Sequence, residues 1–401
     1  MRRLSMPIKT ASAALALCFS ALLLCSAAPL RRVLSDPSCN RVQYPAGDSP
    51  DFRCFLSAWD SLRYWGNADV RILHVGGSHV QAGSWSDRLR SRMVSQRYGS
   101  DGGRGLVFPF AAAQTNTPVS YTSTASGEWE SSRCLHPDVP LGLSGMAAIA
   151  RDTSCRVAID LLPREAFLHQ PRYVFDSVEV LGGGSMEPVL LLQGRDTLRG
   201  TPSAYGYHFS LPYYTDWLQL CFCGKGRYTL RGFYLDKPAS GITLVESGVN
   251  GATTQAWLRC ELWEKELQLL RPDLVIFSIG INDIQGNSFD PERFKANYRE
   301  LVRRVKRVNP HCAFLFTGVN DSWLRHGPNP YGPQVQKACE QLAKEFRGAF
   351  WDFYSVMGGE GSMAVWQEAG FAQPDRVHFT PAGYRLLGDL LFDALQSAPR
   401  K

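Results

Sequence analysis

The feature that most constrains the fold is a repeated alternation of short apolar strands with amphipathic helices. Asp273–Ile279 is almost wholly apolar after its first residue, as a strand buried on both faces must be. The helix after it is bounded by its own signals: Asp290 to cap it, Pro291 at its first position, and Asn309-Pro310 to end it. Within it Phe294, Tyr298, Leu301, Val302, Val305 and Val308 fall on one face at helical spacing. The same alternation predicts strands at Arg71–Val75, Ile242–Glu246, Ala313–Val319 and Ala349–Tyr354. It predicts helices at Gln81–Arg97, Thr254–Leu270, Val335–Arg347 and Pro381–Leu395. Strand–helix alternation of this kind implies an α/β fold with a mostly parallel sheet covered on both faces.

Between about Gly105 and Pro238 the pattern changes. Arg156–Leu162, Tyr173–Leu181, Pro188–Gln193, Tyr207–Leu211, Trp217–Phe222 and Tyr228–Leu235 read as strands separated by Gly and Pro. We expect a β-sandwich over 105–238 inserted into an α/β domain made of 66–104 and 239–398. A length of 401 residues suits two such units at roughly 150 residues each. Residues 31–65 form a leading segment that is not assigned a fold. Gly182-Gly183-Gly184-Ser185 reads as a hairpin loop.

Residues 1–30 read as a signal peptide or an N-terminal membrane anchor. Arg2, Arg3 and Lys9 precede an uncharged, largely apolar stretch from Ala11 to Leu30. Ser26-Ala27-Ala28 offers a cleavage site with Pro29 just beyond it, and about 20 apolar residues would also span a bilayer. Either outcome exports the remainder to the periplasm or cell envelope. Without the first 28 residues the net charge of +6 becomes +3, and no basic stripe of the kind nucleic-acid binders carry remains. Of the 11 cysteines, nine lie beyond this segment. Cys39 with Cys54, and Cys134 with Cys155, are candidate disulfides in an oxidising compartment. Cys221-Phe222-Cys223 is the one close pair and no C-x-x-C occurs, so no zinc site is expected.

Three short motifs follow predicted strands. Val75-Gly76-Gly77-Ser78-His79 would expose Ser78 at the carboxyl edge of the sheet, beside backbone amides facing a developing negative charge. Gly280-Ile281-Asn282-Asp283 would place the Asn282 amide at the same edge. Asp375-Arg376-Val377-His378 precedes Phe379-Thr380-Pro381, where Thr380 can cap the last helix. That spacing lets the carboxylate orient the imidazole while its other nitrogen faces a serine. Each motif alone also suits an ordinary turn or helix cap; the three together, on one edge of a parallel sheet, are more specific.

With Ser247-Gly248-Val249-Asn250-Gly251-Ala252-Thr253, these segments resemble, in order, the four blocks of SGNH/GDSL hydrolases. The resemblance implies a three-layer α/β/α (flavodoxin-like) fold and ester hydrolysis needing neither metal nor organic cofactor. It implies Ser78 as nucleophile, His378 as base and Asp375 as its orienter. The backbone N–H groups of Ser78 and Gly251 and the Asn282 side chain would form the oxyanion hole. The chain departs from the family at Gly77, which stands where the first block usually has Asp.

Ser78 and Asn282 are 204 residues apart, far more than two βα units need. A domain interrupted in this way is similar to peptidoglycan O-acetylesterases, whose insert resembles a carbohydrate-binding module. The resemblance therefore implies a serine esterase that removes O-acetyl groups from a glycan substrate through an acetyl-enzyme. Two alternatives are an O-acetyltransferase with the same triad and a catalytically impaired glycan-binding protein, the latter favoured by Gly77. An α/β-hydrolase lipase is disfavoured, since no G-x-S-x-G occurs. Trp85, Trp129 and Tyr121 are candidates to stack on sugar rings or to fill the core. His79 is placed to line the site or to pack beneath it. Gly102-Gly103-Arg104-Gly105 reads as an anion cradle or a plain turn.

Overall fold

The computed structural model describes residues 33, 36–162, 173–192 and 196–400; the N-terminal apolar stretch lies outside them. A six-stranded sheet runs in the order Val42–Gln43, Ala349–Trp351, Ala313–Phe316, Leu274–Ser278, Val70–Gly76, Ile242–Gly248. All its pairings are parallel except that of Val42–Gln43, which lies antiparallel along the edge. Successive strand residues face opposite ways, and this sheet buries both sides. Ile72, Leu244, Ile276 and Leu315 meet the apolar faces of helices Pro50–Trp65, Ser84–Val94 and Pro381–Gln396. Leu73, Val75, Val275 and Phe277 meet helices Pro291–Val308 and Gly332–Glu345. The fold is a three-layer α/β/α domain. Residues 36–65 join it as the edge strand and a covering helix, a role their sequence left open.

Two predicted helices are each broken in two. The first becomes Ser78–Gln81 and Ser84–Val94, separated at Gly83, whose φ of +77° favours glycine. The second becomes Thr254–Leu258 and Trp263–Leu270. Its break lies where Leu262 N–H donates to the Leu141 carbonyl of the inserted region at 2.8 Å. Helix Pro291–Val308 is capped by Asp290, which accepts from Glu292 and Arg293 N–H.

From Gly105 to Asp236 the chain forms two antiparallel sheets. One pairs Trp129–Arg133, Met146–Ala150, Tyr228–Asp236, Phe175–Gly184, Gly206–Thr215 and Thr201–Pro202, with Gly105–Val107 against Tyr228–Asp236. The other pairs Thr122–Ser126, Arg156–Asp160, Trp217–Cys223, Glu187–Leu192 and Asp196–Arg199. Ala148, Val157, Val180 and Leu220 belong to one core that continues into the α/β domain. The three glycines 182–184 are not a hairpin loop. They pair with Leu230, Thr229 and Tyr228, and the chain then passes into the other sheet. A Cβ on Gly182 would stand 2.4 Å from the Tyr228 ring, so close strand packing excludes a side chain.

Two buried carboxylates lie at the junction of this region with the α/β domain, Glu246 meeting it through the Ser120 hydroxyl. Glu266 accepts from Leu143 N–H at 2.7 Å and from the Arg231 guanidinium. Glu246 accepts from Arg104 at 2.6 Å and from Arg90, which also bonds Asp87 at 2.9 Å. Burial opposes the charge on Glu246, but the two guanidiniums outweigh it and hold the carboxyl below its usual range. Arg104 is therefore an ion-pair partner rather than part of an anion cradle, and the neighbouring Gly102 N–H donates to the Ile242 carbonyl at 3.1 Å. Both arginine side chains are 1% exposed. Glu246→Gln would leave the buried Arg104 without its carboxylate partner and Arg90 with Asp87 alone, and we expect a loss of about 3–5 kcal/mol in stability, read from urea unfolding. A loss under ~1 kcal/mol would contradict this reading of the cluster.

The cysteine pairing expected from the sequence is not the one the fold brings together. Cys155 donates its thiol to the Glu128 carbonyl at 3.0 Å and Cys39 donates to Asp36 at 3.5 Å, while Cys54 is exposed. Cys134 lies instead beside Cys260. Trp85 and Tyr121 are buried core residues, and Trp129 packs on Phe222 with ring centroids 5.9 Å apart. Among the described residues no helix is long and apolar enough to cross a membrane.

Candidate active site

Strand Val70–Gly76 hands over to helix Ser78–Gln81 through Gly77, which puts Ser78 at the helix start on the carboxyl edge of the sheet. His378 and Asp375 arrive from the loop before helix Pro381–Gln396. Thr380 caps that helix by accepting from Gly383 N–H at 3.2 Å. Ser78 Oγ lies 2.8 Å from His378 Nε2, and His378 Nδ1 lies 2.7 Å from Asp375 Oδ2. Asp375 Oδ1 accepts the backbone N–H groups of Val377 and His378, each at 2.9 Å. Burial opposes ionisation of Asp375, but those two N–H groups and the imidazole hold its carboxyl below the usual range. A relay of hydroxyl, imidazole and ionised carboxylate can activate a serine for attack on a carbonyl carbon.

The loop carrying this relay is braced from the side. Arg376 adopts a φ of +54°, costly for a residue with a side chain. Its guanidinium sits 3.9 Å over the Trp323 ring and its Nε donates to Gln367 at 2.6 Å. Asn320 Nδ2 donates to the Val377 carbonyl at 3.1 Å. His79 packs under the relay with its ring 5.3 Å from that of His378, and its Nδ1 meets the Tyr384 hydroxyl at 2.8 Å. Burial, reinforced by the neighbouring His378, pushes its pKa down to about 3. His79 thus supports the site from below as a neutral ring.

Asn282 stands beside the turn before Ser78. Its Nδ2 donates to the Ala252 carbonyl at 3.0 Å, leaving the second amide hydrogen for another acceptor. A Cβ on Gly77 would stand only 2.8 Å from that nitrogen. Where the family usually has Asp, this chain has a glycine against which Asn282 is seated. Gly251, at φ +79°, lies in the same loop as Ala252. Ser78, Gly251 and Asn282 therefore gather around one turn. If the Asn282 amide stabilises an oxyanion, Asn282→Ala should lower kcat by about 10²–10³. Gly77→Asp should lower it as well by displacing the amide. Equal turnover by wild type and Gly77→Asp would show that the seat at Gly77 is unimportant.

Sequence reasoning missed two residues that join these motifs. Gln81, one turn after Ser78, accepts from Asn250 N–H at 2.7 Å and donates to Thr115 and Asn116 of the inserted region. Asp283 accepts from Thr254 N–H and hydroxyl, the latter at 2.6 Å, tying the Asn282 loop to the Gly251 loop. Burial pushes its carboxyl up to about 6. Only their position next to a motif residue could have marked them. The insertion also reaches the site directly: a Cβ on Gly251 would stand 3.1 Å from Leu135.

The sequence profile of the GDSL-like lipase/acylhydrolase family matches residues 214–386, which is less than half of the chain and begins after Ser78. The match places the likeness to GDSL-like acylhydrolases in the second half of the chain. The protein is a carboxylic ester hydrolase. The chain superposes on a solved peptidoglycan O-acetylesterase with a TM-score of 0.72 at 23% identity, covering 88% of this chain and 98% of that one. It also resembles an acetylxylan esterase from Geobacillus stearothermophilus at 23% identity and TM-score 0.32, over 39% of this chain and 73% of that one. A lipase/acylhydrolase from Enterococcus faecalis matches at 21% identity and TM-score 0.31, over 40% of this chain and 80% of that one. These last two superpositions are too loose to carry weight. No curated protein matches the sequence.

Proposed function

We propose that this protein is an exported serine esterase that removes O-acetyl groups from carbohydrate, with cell-wall peptidoglycan as its substrate. The observation that carries the reading is the Ser78–His378–Asp375 relay, with 2.8 and 2.7 Å contacts, set beside a β-sandwich that reaches the same loops. The likeness to the peptidoglycan O-acetylesterase spans nearly all of that protein, and so takes in more than the α/β core. In this reading His378 takes the Ser78 proton as Oγ attacks the acetyl carbonyl. The backbone N–H groups of Ser78 and Gly251 and the Asn282 amide receive the oxyanion. The C–O bond to the sugar breaks, and His378 returns the proton to the departing hydroxyl. Water, activated by the same imidazole, then releases acetate and restores Ser78. Export follows from the charged and apolar N-terminal segment, whether it is cleaved or kept as an anchor.

The test is acetate release from O-acetylated peptidoglycan and from acetylated xylan by the protein and its Ser78→Ala variant. Ser78-dependent release from peptidoglycan is the expected result. Release from xylan alone would move the substrate. Acetylated acceptor in place of free acetate would identify a transferase, and no acetyl turnover at all would overturn the proposal.

A further inference from the structure

Cys134 and Cys260 are 126 residues apart. Cys134 follows strand Trp129–Arg133 of the sandwich, and Cys260 follows helix Thr254–Leu258 of the α/β domain. Both are fully buried, and the two side chains are neighbours. The flanking backbone is joined on both sides of this contact. The Arg259 guanidinium donates to the Leu135 carbonyl, and Leu262 N–H donates to the Leu141 carbonyl at 2.8 Å. Cys134 N–H donates to the Gly145 carbonyl and Cys260 N–H to the Trp257 carbonyl. Gly145 and Trp257 themselves touch: a Cβ on Gly145 would stand 2.9 Å from the indole. Among the described residues no third histidine, cysteine or carboxylate completes a metal site there. The ester chemistry proposed above uses neither thiol.

We infer that Cys134 and Cys260 are a disulfide-forming pair that locks the inserted sandwich onto the α/β domain beside the oxyanion loop. Leu135, next to Cys134, stands over Gly251, so the link fixes a sandwich residue that meets that loop. In the reaction each thiol loses its hydrogen and an S–S bond forms. The two electrons and two protons pass to a disulfide oxidant, which leaves as a dithiol. Because both sulfurs are enclosed in the folded protein, exchange occurs before the Cys134 loop docks. The pairing rests on this geometry; that it forms in the cell rests on the export reading.

The test is to refold the full chain in a glutathione redox buffer, alkylate it in denaturant before any reduction, and map the peptides. The expected result is a cross-linked pair joining Cys134 to Cys260, with Tm about 5 °C above that of the reduced protein. Cys134→Ser should remove both the link and the redox dependence of Tm. If that variant fails to fold, the wild-type map still decides. Both cysteines alkylated after oxidative refolding, or either one linked elsewhere, would overturn the inference. A pair that links on refolding but is free in protein drawn from its own cells would uphold the pairing and count against export.

Discussion

Ser78→Ala and His378→Ala should each lower kcat on an acetyl ester by about 10⁵–10⁶, and the double variant should lose little more. The reason is that the hydroxyl and imidazole work as one unit. The 2.8 Å contact between them is useless once either end is gone. What remains is binding and the oxyanion donors, worth about 10³–10⁴ over the uncatalysed reaction. Neither change should disturb folding, because Ser78 and the His378 ring lie at the mouth of the site rather than in a core. Steady-state kinetics on the three variants, with Tm as the control, checks this. Multiplying losses would mean that the two residues act separately, and a single variant with wild-type turnover would remove it from the site.

Asp375→Asn should follow with a loss on the order of 10³, somewhat below the ~10⁴ of a fully buried relay. The carboxylate accepts three hydrogen bonds, from two backbone N–H groups and from the imidazole. An amide has one oxygen, so its NH₂ must face a donor or force the imidazole proton onto Nε2, where it blocks acceptance from Ser78. The Asp375 side chain is half exposed, and competition from water limits the damage. The carboxyl pKa is lower folded than unfolded, so its contribution to stability is present above the unfolded value near ~3.9. That contribution disappears as pH falls through the depressed folded value. The Tm deficit of Asp375→Asn should therefore be visible at neutral pH and vanish in strong acid. A deficit that persists in acid would place its origin in packing.

The α/β layers were legible because period-3.6 and all-apolar patterns survive wherever an element packs against the sheet. Helix Pro291–Val308 carried its own cap and stop. Helices that meet the insertion were less legible: the break after Leu258 follows from a hydrogen bond to Leu141, a contact no local pattern encodes. Strands Thr122–Ser126 and Trp129–Arg133 were missed because their serines, threonines and glutamate give no apolar alternation. Residues 36–65 hid an edge strand of two residues, too short for any period. At the site, Ser78, Asn282, Asp375 and His378 follow strands or precede a capped helix, so their placement could be inferred. Gln81 and Asp283 act through bonds to distant loops, and the meaning of Gly77 emerges only when Asn282 is seen beside it.

In the proposed reaction Ser78 carries an acetyl group between the substrate and water. The most direct measurement is to mix the protein with an activated acetyl ester, quench in acid before steady state, and map the acetylated peptide by mass spectrometry. Acetyl is expected on Ser78, formed in a burst and absent from His378→Ala. An acetyl group accumulating on another residue at the rate of turnover, with Ser78 unmodified, would contradict it.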